Sequence, residues 1–195
     1  MTTTSPVTVS ARTARIPLEH PNTPFLRLAR WWSKRRYGDM LEPVLAMMHN
    51  RRVLTSMGLL ELTAPRWSSL DPDVRELAEL AVSAQIGCSW CIDFGYFLSH
   101  NRGMDPAKLE GLADWRASDA YTSLERQVLE YAEAMTTTPP SVTDEMVEGL
   151  RESLTDEQLV ELTAMIALEN LRSRTNAALG LTSQGFKDHC EVPSR

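Results

Sequence analysis

Two cysteines in the middle of the chain could carry out redox chemistry. Cys88 and Cys91 form a C-x-x-C motif, and the segment before them carries Glu76 and Glu79. Positions i and i+3 share one face of a helix, so two thiols at its first turn lie side by side. The positive end of the helix dipole and its free N–H groups stabilise a thiolate. The pair can also close to a disulfide, and either glutamate could accept a thiol proton.

Two other interpretations of this motif are open. A lone C-x-x-C often consists of incidental helix residues. A zinc site needs about four ligands, and only Cys190 with its neighbour His189 could complete one. Redox use is favoured because the motif begins a helix directly after a glutamate-bearing helix. We therefore expect no metal and no cofactor.

Helix signals on both sides of the cysteines indicate what positions them. Asp71 is a capping residue followed by Pro72 at the first helical position, which is a strong helix start. Gly87 predicts the end of that helix, and Gly103 the end of the next. The first helix has a buried stripe at helical spacing, formed by Val74, Leu77, Ala78, Ala81 and Val82.

The remaining patterns predict an all-α protein. Capping boxes start helices at Thr122 and Thr155, and Asp39 is predicted to cap one long helical segment over Met40–Leu62. No segment alternates as a strand does. We predict about seven to eight helices in a single domain over residues 21–182, with a flexible arm at 1–20 and a tail at 183–195.

Composition excludes several classes of function. The chain has 195 residues and a formal net charge of −6, which argues against nonspecific nucleic-acid binding. It has no apolar run of the ~18 residues that a membrane span needs. The N-terminus lacks the apolar region of a signal peptide, so we expect a cytoplasmic protein. The basic helix at 25–38 is predicted to bury Trp31 and Trp32 and to solvate its charges; the alternative is a contact surface for an anionic partner.

The spacing of three residues resembles a family signature. Glu76, eleven residues, then Cys88-Ser-Trp-Cys91 is similar to the motif of the AhpD-like alkylhydroperoxidase group in the carboxymuconolactone decarboxylase family. The surrounding sequence, LAELAVSAQIGCSWC, is also similar to that of this group. A later segment, LVELTAMIALENLRSRTNAALGL, resembles the helix that follows the motif in this group, with Asn170 and Asn176 in polar positions. The resemblance covers roughly Leu59 to Leu181.

The resemblance implies an AhpD-like helical bundle that assembles as a homotrimer or homohexamer. It implies an antioxidant activity, the reduction of hydroperoxides or a related disulfide exchange, with a thiol or dithiol protein as the reductant. In that scheme Cys91 attacks with assistance from Glu76, and Cys88 resolves the sulfenic acid to a disulfide. Helix-dipole physics alone would instead give Cys88 the lower pKa.

One member of the family motif is missing. The histidine expected four residues after Cys91 is Gly95. On a helix His100 lies about 180° from Cys91 and Asp93 about 200° from it, so neither replaces the histidine locally. General acid–base help is worth ~100- to 10,000-fold in rate, and we therefore expect weak or absent peroxidase activity. The alternatives are lactone decarboxylase chemistry and a non-enzymatic, redox-sensing oligomer that uses the basic helix as its contact.

Overall fold

The computed structural model describes residues 14–190, and within that range every regular element is helical. This confirms the all-α fold class. Residues 1–13 of the predicted arm and 191–195 of the predicted tail lie outside the described residues. The α-helices of the described range are α1 Pro24–Tyr37, α2 Glu42–Met47, α3 Arg51–Thr63, α4 Pro72–Ile86, α5 Ser89–Arg102, α6 Pro106–Gly111, α7 Ser123–Thr136, α8 Asp144–Arg151 and α9 Asp156–Ala178.

The helical segment predicted over Met40–Leu62 is in fact two helices, α2 and α3. Asn50 starts α3, because its side-chain oxygen accepts hydrogen bonds from the backbone N–H groups of Arg52 and Val53. Asparagine at this position is among the strongest helix caps, worth about 1 kcal/mol. The prediction overlooked this cap, and it is one reason why the described part of the chain has more helices than expected.

The other helix starts agree with the sequence signals. Asp71 caps α4 by accepting from the N–H groups of Asp73 and Val74. Thr122 and Thr155 each form a complete capping box at the start of α7 and α9. These short-range signals are reliable because the partners are only two or three residues apart in the chain.

Helix α4 lies at the centre of the bundle and has its most extensive contacts with α5, α7 and α9. Its stripe packs into the main core, where Leu77, Ala78 and Val82 are completely buried. Because α4 and α5 are joined by a single tight turn at Gly87, which has φ +75°, they run back along each other as a hairpin. None of the helices between residues 14 and 190 is long and apolar enough to cross a lipid bilayer.

The basic helix α1 does not bury its tryptophans, and this expectation is wrong. Trp31 is 62% exposed and Trp32 is 50% exposed. The buried face of α1 is instead formed by Leu26 and Ser33, seven residues apart and therefore on one side of the helix. The Arg36 guanidinium lies 5.8 Å from the ring centroid of Trp32, so part of this surface is a cation–π contact.

The C-terminal segment is attached to α5 by one buried carboxylate. Asp93 accepts hydrogen bonds from four consecutive backbone N–H groups, those of residues 184–187, at 2.7–3.1 Å. They place the ring of Phe186 against Trp90 and Phe94, with ring centroids 6.4 and 5.2 Å away. The tail is thereby part of the cluster that also buries Cys88 and Cys91.

Residues 14–20, at the end of the predicted arm, contact the same region. The backbone N–H of Arg15 donates to the carbonyl of Leu179 at 2.8 Å. Ile16 and Leu18 pack against the cluster that contains the two cysteines. The thiol pair is consequently covered from both ends of the described chain.

Candidate functional site

The structure brings Cys88 and Cys91 together at the start of α5. Cys88 is the capping residue of this helix, and its sulfur accepts a hydrogen bond from the backbone N–H of Cys91 at 3.3 Å. Its own N–H donates to the carbonyl of Ser83 in the last turn of α4. Both thiols are free, with Cys88 1% exposed and Cys91 7% exposed.

The two sulfurs have opposite pKa shifts. The pKa of Cys88 is lowered to about 7, first by a hydrogen bond from the Cys91 thiol and then, against the effect of burial, by the N–H of Cys91. The same hydrogen bond raises the pKa of Cys91, and burial and the nearby Glu169 add to this. When the pair has lost one proton, the negative charge is therefore on Cys88, as helix-dipole physics predicts.

A carboxylate that the sequence analysis missed lies beside the pair. Glu169 of α9 is buried, and its Oε1 accepts hydrogen bonds from the hydroxyls of Ser83 and Ser173 at 2.9 and 2.6 Å. The Ser173 hydroxyl lies close enough to lower the pKa of both thiols. One signal could have found it, since Glu169 lies within the buried stripe of α9, where Leu162, Ile166, Ser173 and Asn176 have helical spacing.

Burial raises the pKa of Glu169 to about 7. Arg172 opposes this shift, with its guanidinium 3.3 Å from Glu169 Oε2, whereas the negative charge of Glu79 reinforces it. Arg172 also forms ion pairs with Glu79 at 3.0 Å and with Glu61 at 2.7 Å. Three carboxylates thus surround one cation, and Glu169 titrates where a proton donor or acceptor is most useful.

Of the two asparagines in the family-like segment, one reaches the thiols. The side-chain N–H of Asn176 donates to Cys91 Sγ at 3.3 Å, which stabilises negative charge on that sulfur. Its Oδ1 is buried and has no hydrogen-bond partner among the described residues. Asn170 instead donates to the Thr136 hydroxyl on α7.

Glu76 lies further along the hairpin, where it forms an ion pair. Its Oε1 is 2.5 Å from the Arg102 guanidinium, and its Oε2 has no hydrogen-bond partner among residues 14–190. Burial raises its pKa, and Arg102 opposes that shift. Ser83, which reaches the thiol site, is seven residues later in α4, or about 10 Å along the helix axis. The assisting role of Glu76 stays a prediction, and no hydrogen bond joins it to either cysteine.

Leu80 fills the space where the family histidine would begin. A Cβ built on Gly95 would lie 2.9 Å from Leu80 Cδ2, closer than carbon atoms normally approach. His100, the nearest histidine along α5, stacks on Tyr96 instead. The position is therefore occupied by an apolar side chain of the neighbouring helix.

We expect Gly95→His to lower stability without increasing activity. Overpacking against Leu80 costs about 1–3 kcal/mol, because the added Cβ already lies too close to the Leu80 side chain. Thermal unfolding and peroxide turnover of Gly95→His are the measurements. In a Leu80→Ala background, which removes the clash, Gly95→His should lower the melting temperature by less than it does in the unsubstituted protein; an unchanged melting temperature in the single variant would contradict the clash.

No group of three or more histidine, cysteine, aspartate or glutamate side chains in the described part of the chain is arranged to hold a metal ion. The chemistry available from this chain's own residues at the site is thus that of two thiols, one carboxylic acid, two hydroxyls and one amide.

Several known proteins are similar to this chain. A model described as the carboxymuconolactone decarboxylase family matches residues 52–134. The chain is 35% identical to YnjA of Escherichia coli (strain K12) over 184 residues, covering 93% of this chain and 96% of YnjA. Its fold is similar to that of a peroxidase-related protein from Ralstonia eutropha JMP134 described as an alkylhydroperoxidase AhpD core, with a TM-score of 0.79 and 19% identity over 93% of this chain and 98% of the other. The debrominase Bmp8 has a TM-score of 0.78 and 21% identity over 93% and 97% of the two chains.

Proposed function

The chain belongs to the carboxymuconolactone decarboxylase family, and we propose that it is a thiol-dependent oxidoreductase that reduces hydroperoxides, or exchanges disulfides, through Cys88 and Cys91. The observation that carries the proposal is the contact at the start of α5, where Cys88 Sγ accepts the N–H of Cys91. This arrangement combines a stabilised thiolate with a second thiol in position to form a disulfide.

The reaction can be written with the two sulfurs alone. The Cys91 thiolate attacks the terminal oxygen of the hydroperoxide, the O–O bond breaks, and the alkoxide leaves and takes up a proton. Cys91 is then a sulfenic acid. The Cys88 thiolate attacks its sulfur, the S–O bond breaks, and hydroxide leaves as water after protonation. The products are an alcohol, water and the Cys88–Cys91 disulfide, which a partner thiol or dithiol protein reduces.

The proposal assigns the attack to Cys91 because of its position and its hydrogen bond. Cys91 is the more exposed of the two residues, and Asn176 donates to its sulfur. Cys88 is almost completely buried and has the lower pKa of the two thiols, which suits a resolving thiolate. We extend the proposal to the homotrimer or homohexamer that the family resemblance implies. Helix α3 supports this extension, because it has no buried residue and leaves Leu59 and Leu62 exposed. A monomeric mass by light scattering would contradict that assembly.

Mass spectrometry of the intact protein tests the function directly. Adding an alkyl hydroperoxide to the reduced protein should remove two hydrogens per chain and place a disulfide between Cys88 and Cys91. Cys190→Ser is the matched control and should react identically. A protein that keeps both thiols under peroxide would contradict the proposal. Consumption of a carboxylated lactone by the variant with both thiols replaced by serine would favour lactone chemistry instead.

A further inference from the structure

The proposed reaction needs a proton carrier next to Cys91. The hydrogen bond to Cys88 and burial hold the Cys91 proton in place, so the attack requires a base. The departing alkoxide then requires an acid. The family histidine is absent, and Leu80 occupies its space. Neither oxygen of Glu76 is hydrogen-bonded to a thiol among the described residues.

We propose that Glu169, acting through the hydroxyl of Ser173, takes the proton from the Cys91 thiol and returns it to the leaving group. The inference rests on the proposed function and deepens it by naming the proton path. Both residues come from α9, the helix whose Asn176 donates to Cys91 Sγ.

One hydroxyl on α9 can join the carboxylate to the thiols. Ser173 Oγ lies 2.6 Å from Glu169 Oε1. Ser173 is also one helical turn before Asn176, whose side-chain N–H donates to Cys91 Sγ at 3.3 Å, and the Ser173 hydroxyl lowers the pKa of both thiols. Because a hydroxyl donates one hydrogen and accepts others, Ser173 can donate to the carboxylate while it accepts from the Cys91 thiol, once that S–H turns from Cys88 Sγ toward α9. A shift of both protons leaves a Cys91 thiolate and a neutral Glu169, and the reverse shift delivers a proton outward.

The surroundings favour one shared proton over two negative charges. Ser173 is completely buried and Glu169 nearly so, and a second uncompensated anion here would be costly. The charged groups around Glu169 are Arg172 on its own helix, Glu79 on α4 and, through Arg172, Glu61 on α3. The two thiols face it from α5. With three carboxylates and a thiolate against one guanidinium, the proton lies either on Cys91 or on Glu169, so that these two groups are not negative at the same time.

The negative charge of Glu169 and its role as proton carrier predict opposite effects of Glu169→Gln, and this makes the test specific. The carboxylate's negative charge raises the pKa of Cys91. Removing it should therefore make the Cys91 thiolate form at lower pH. Turnover of hydroperoxide should nevertheless fall by about 100-fold or more, because the proton has no carrier. A purely structural role would not produce an easier thiolate together with slower turnover.

The experiment measures iodoacetamide alkylation of Cys91 against pH, located by peptide mass mapping, and hydroperoxide turnover, both in the Cys190→Ser background. Ser173→Ala keeps the carboxylate but breaks the path, so turnover should fall while the alkylation profile moves to higher pH. Glu125→Gln is the matched control, because Glu125 is also buried and ion-paired, with Lys108, and glutamine preserves its capping position. It should leave both readouts unchanged.

Two results would overturn the inference. One is an alkylation profile that does not move in Glu169→Gln, and the other is undiminished turnover in either α9 variant. If the unsubstituted protein does not consume hydroperoxide, the proposed function fails. In that case the alkylation profile still tests the coupling between Cys91 and Glu169. A shift to lower pH in Glu169→Gln supports a proton shared by these two residues, and an unmoved profile contradicts it.

Discussion

Replacing Cys91 by serine is expected to abolish hydroperoxide turnover. A serine hydroxyl remains protonated at neutral pH and does not form a sulfenic acid, so no electrons pass from the chain to the substrate. The loss should exceed the roughly 100-fold effect expected for the proton carrier, because the nucleophile itself is removed. Steady-state peroxide consumption with an excess of dithiol reductant is the measurement.

The Cys88 variant distinguishes the two sulfurs. Cys88→Ser should still react once with hydroperoxide and leave a sulfenic acid on Cys91, which a dimedone-type probe can trap. Cys91→Ser should give no such adduct at Cys88, because that sulfur is almost completely buried. Trapping of the adduct on Cys88 would reverse the assignment of the attacking thiol, although it would leave the redox function intact.

Variants of Cys91 also test the hydrogen bond between the two sulfurs. The hydrogen bond from the Cys91 thiol is the main cause that lowers the pKa of Cys88 to about 7. Cys91→Ala removes this donor, so the Cys88 thiolate should form only at higher pH. Cys91→Ser keeps an O–H donor and should retain more of the effect. Absorbance of the thiolate against pH measures both.

Replacing Asp93 by alanine is expected to detach the C-terminal segment and to expose the thiols. The substitution leaves four backbone N–H groups without their acceptor. Hydrogen bonds to a charged group are worth about 1.5–3 kcal/mol each, and released N–H groups can bind water, so we expect a loss of about 3 kcal/mol. For a chain of this size that corresponds to a fall of ~10 °C in melting temperature.

Alkylation provides the second readout of this variant. Phe186, held in place by the Asp93 contacts, packs in the same cluster as Cys88 and Cys91. Its displacement should raise the iodoacetamide reaction rate of both cysteines severalfold at constant pH. Asp188→Ala is the matched control, an exposed acid three residues after Gly185 in the same segment. An unchanged melting temperature and thiol reactivity in Asp93→Ala would show that the segment is held by other contacts.

The local part of the architecture could be predicted from the sequence. Asp71 and the two capping boxes located helix starts within a residue, because a cap and its N–H partners are neighbours in the chain. The placement of Cys88 at a helix N-terminus, and with it the direction of its pKa shift, follows from the same short-range geometry. The split between α2 and α3 could also have been predicted, had the capping potential of Asn50 been considered.

The orientation of exposed aromatic residues could not be predicted in this way. Helix α1 has apolar and basic residues on several sides, and only the packing of Leu26 and Ser33 against the body decided which face is buried. Similarly, Asp93 reads as a polar residue on α5 that points away from Cys91. Its hydrogen bonds to residues 184–187 span more than ninety positions of the sequence.

The thiol pair is what the sequence by itself determined about this protein, since its two members are one helical turn apart. The tertiary structure alone decided what surrounds the pair. Leu80 fills the position beside Gly95, Arg102 holds Glu76, and Glu169 with Ser173 approaches from α9. The physical reason is that proton transfer depends on distances of about 3 Å between side chains of different helices, and the packing of α4, α5 and α9 sets those distances.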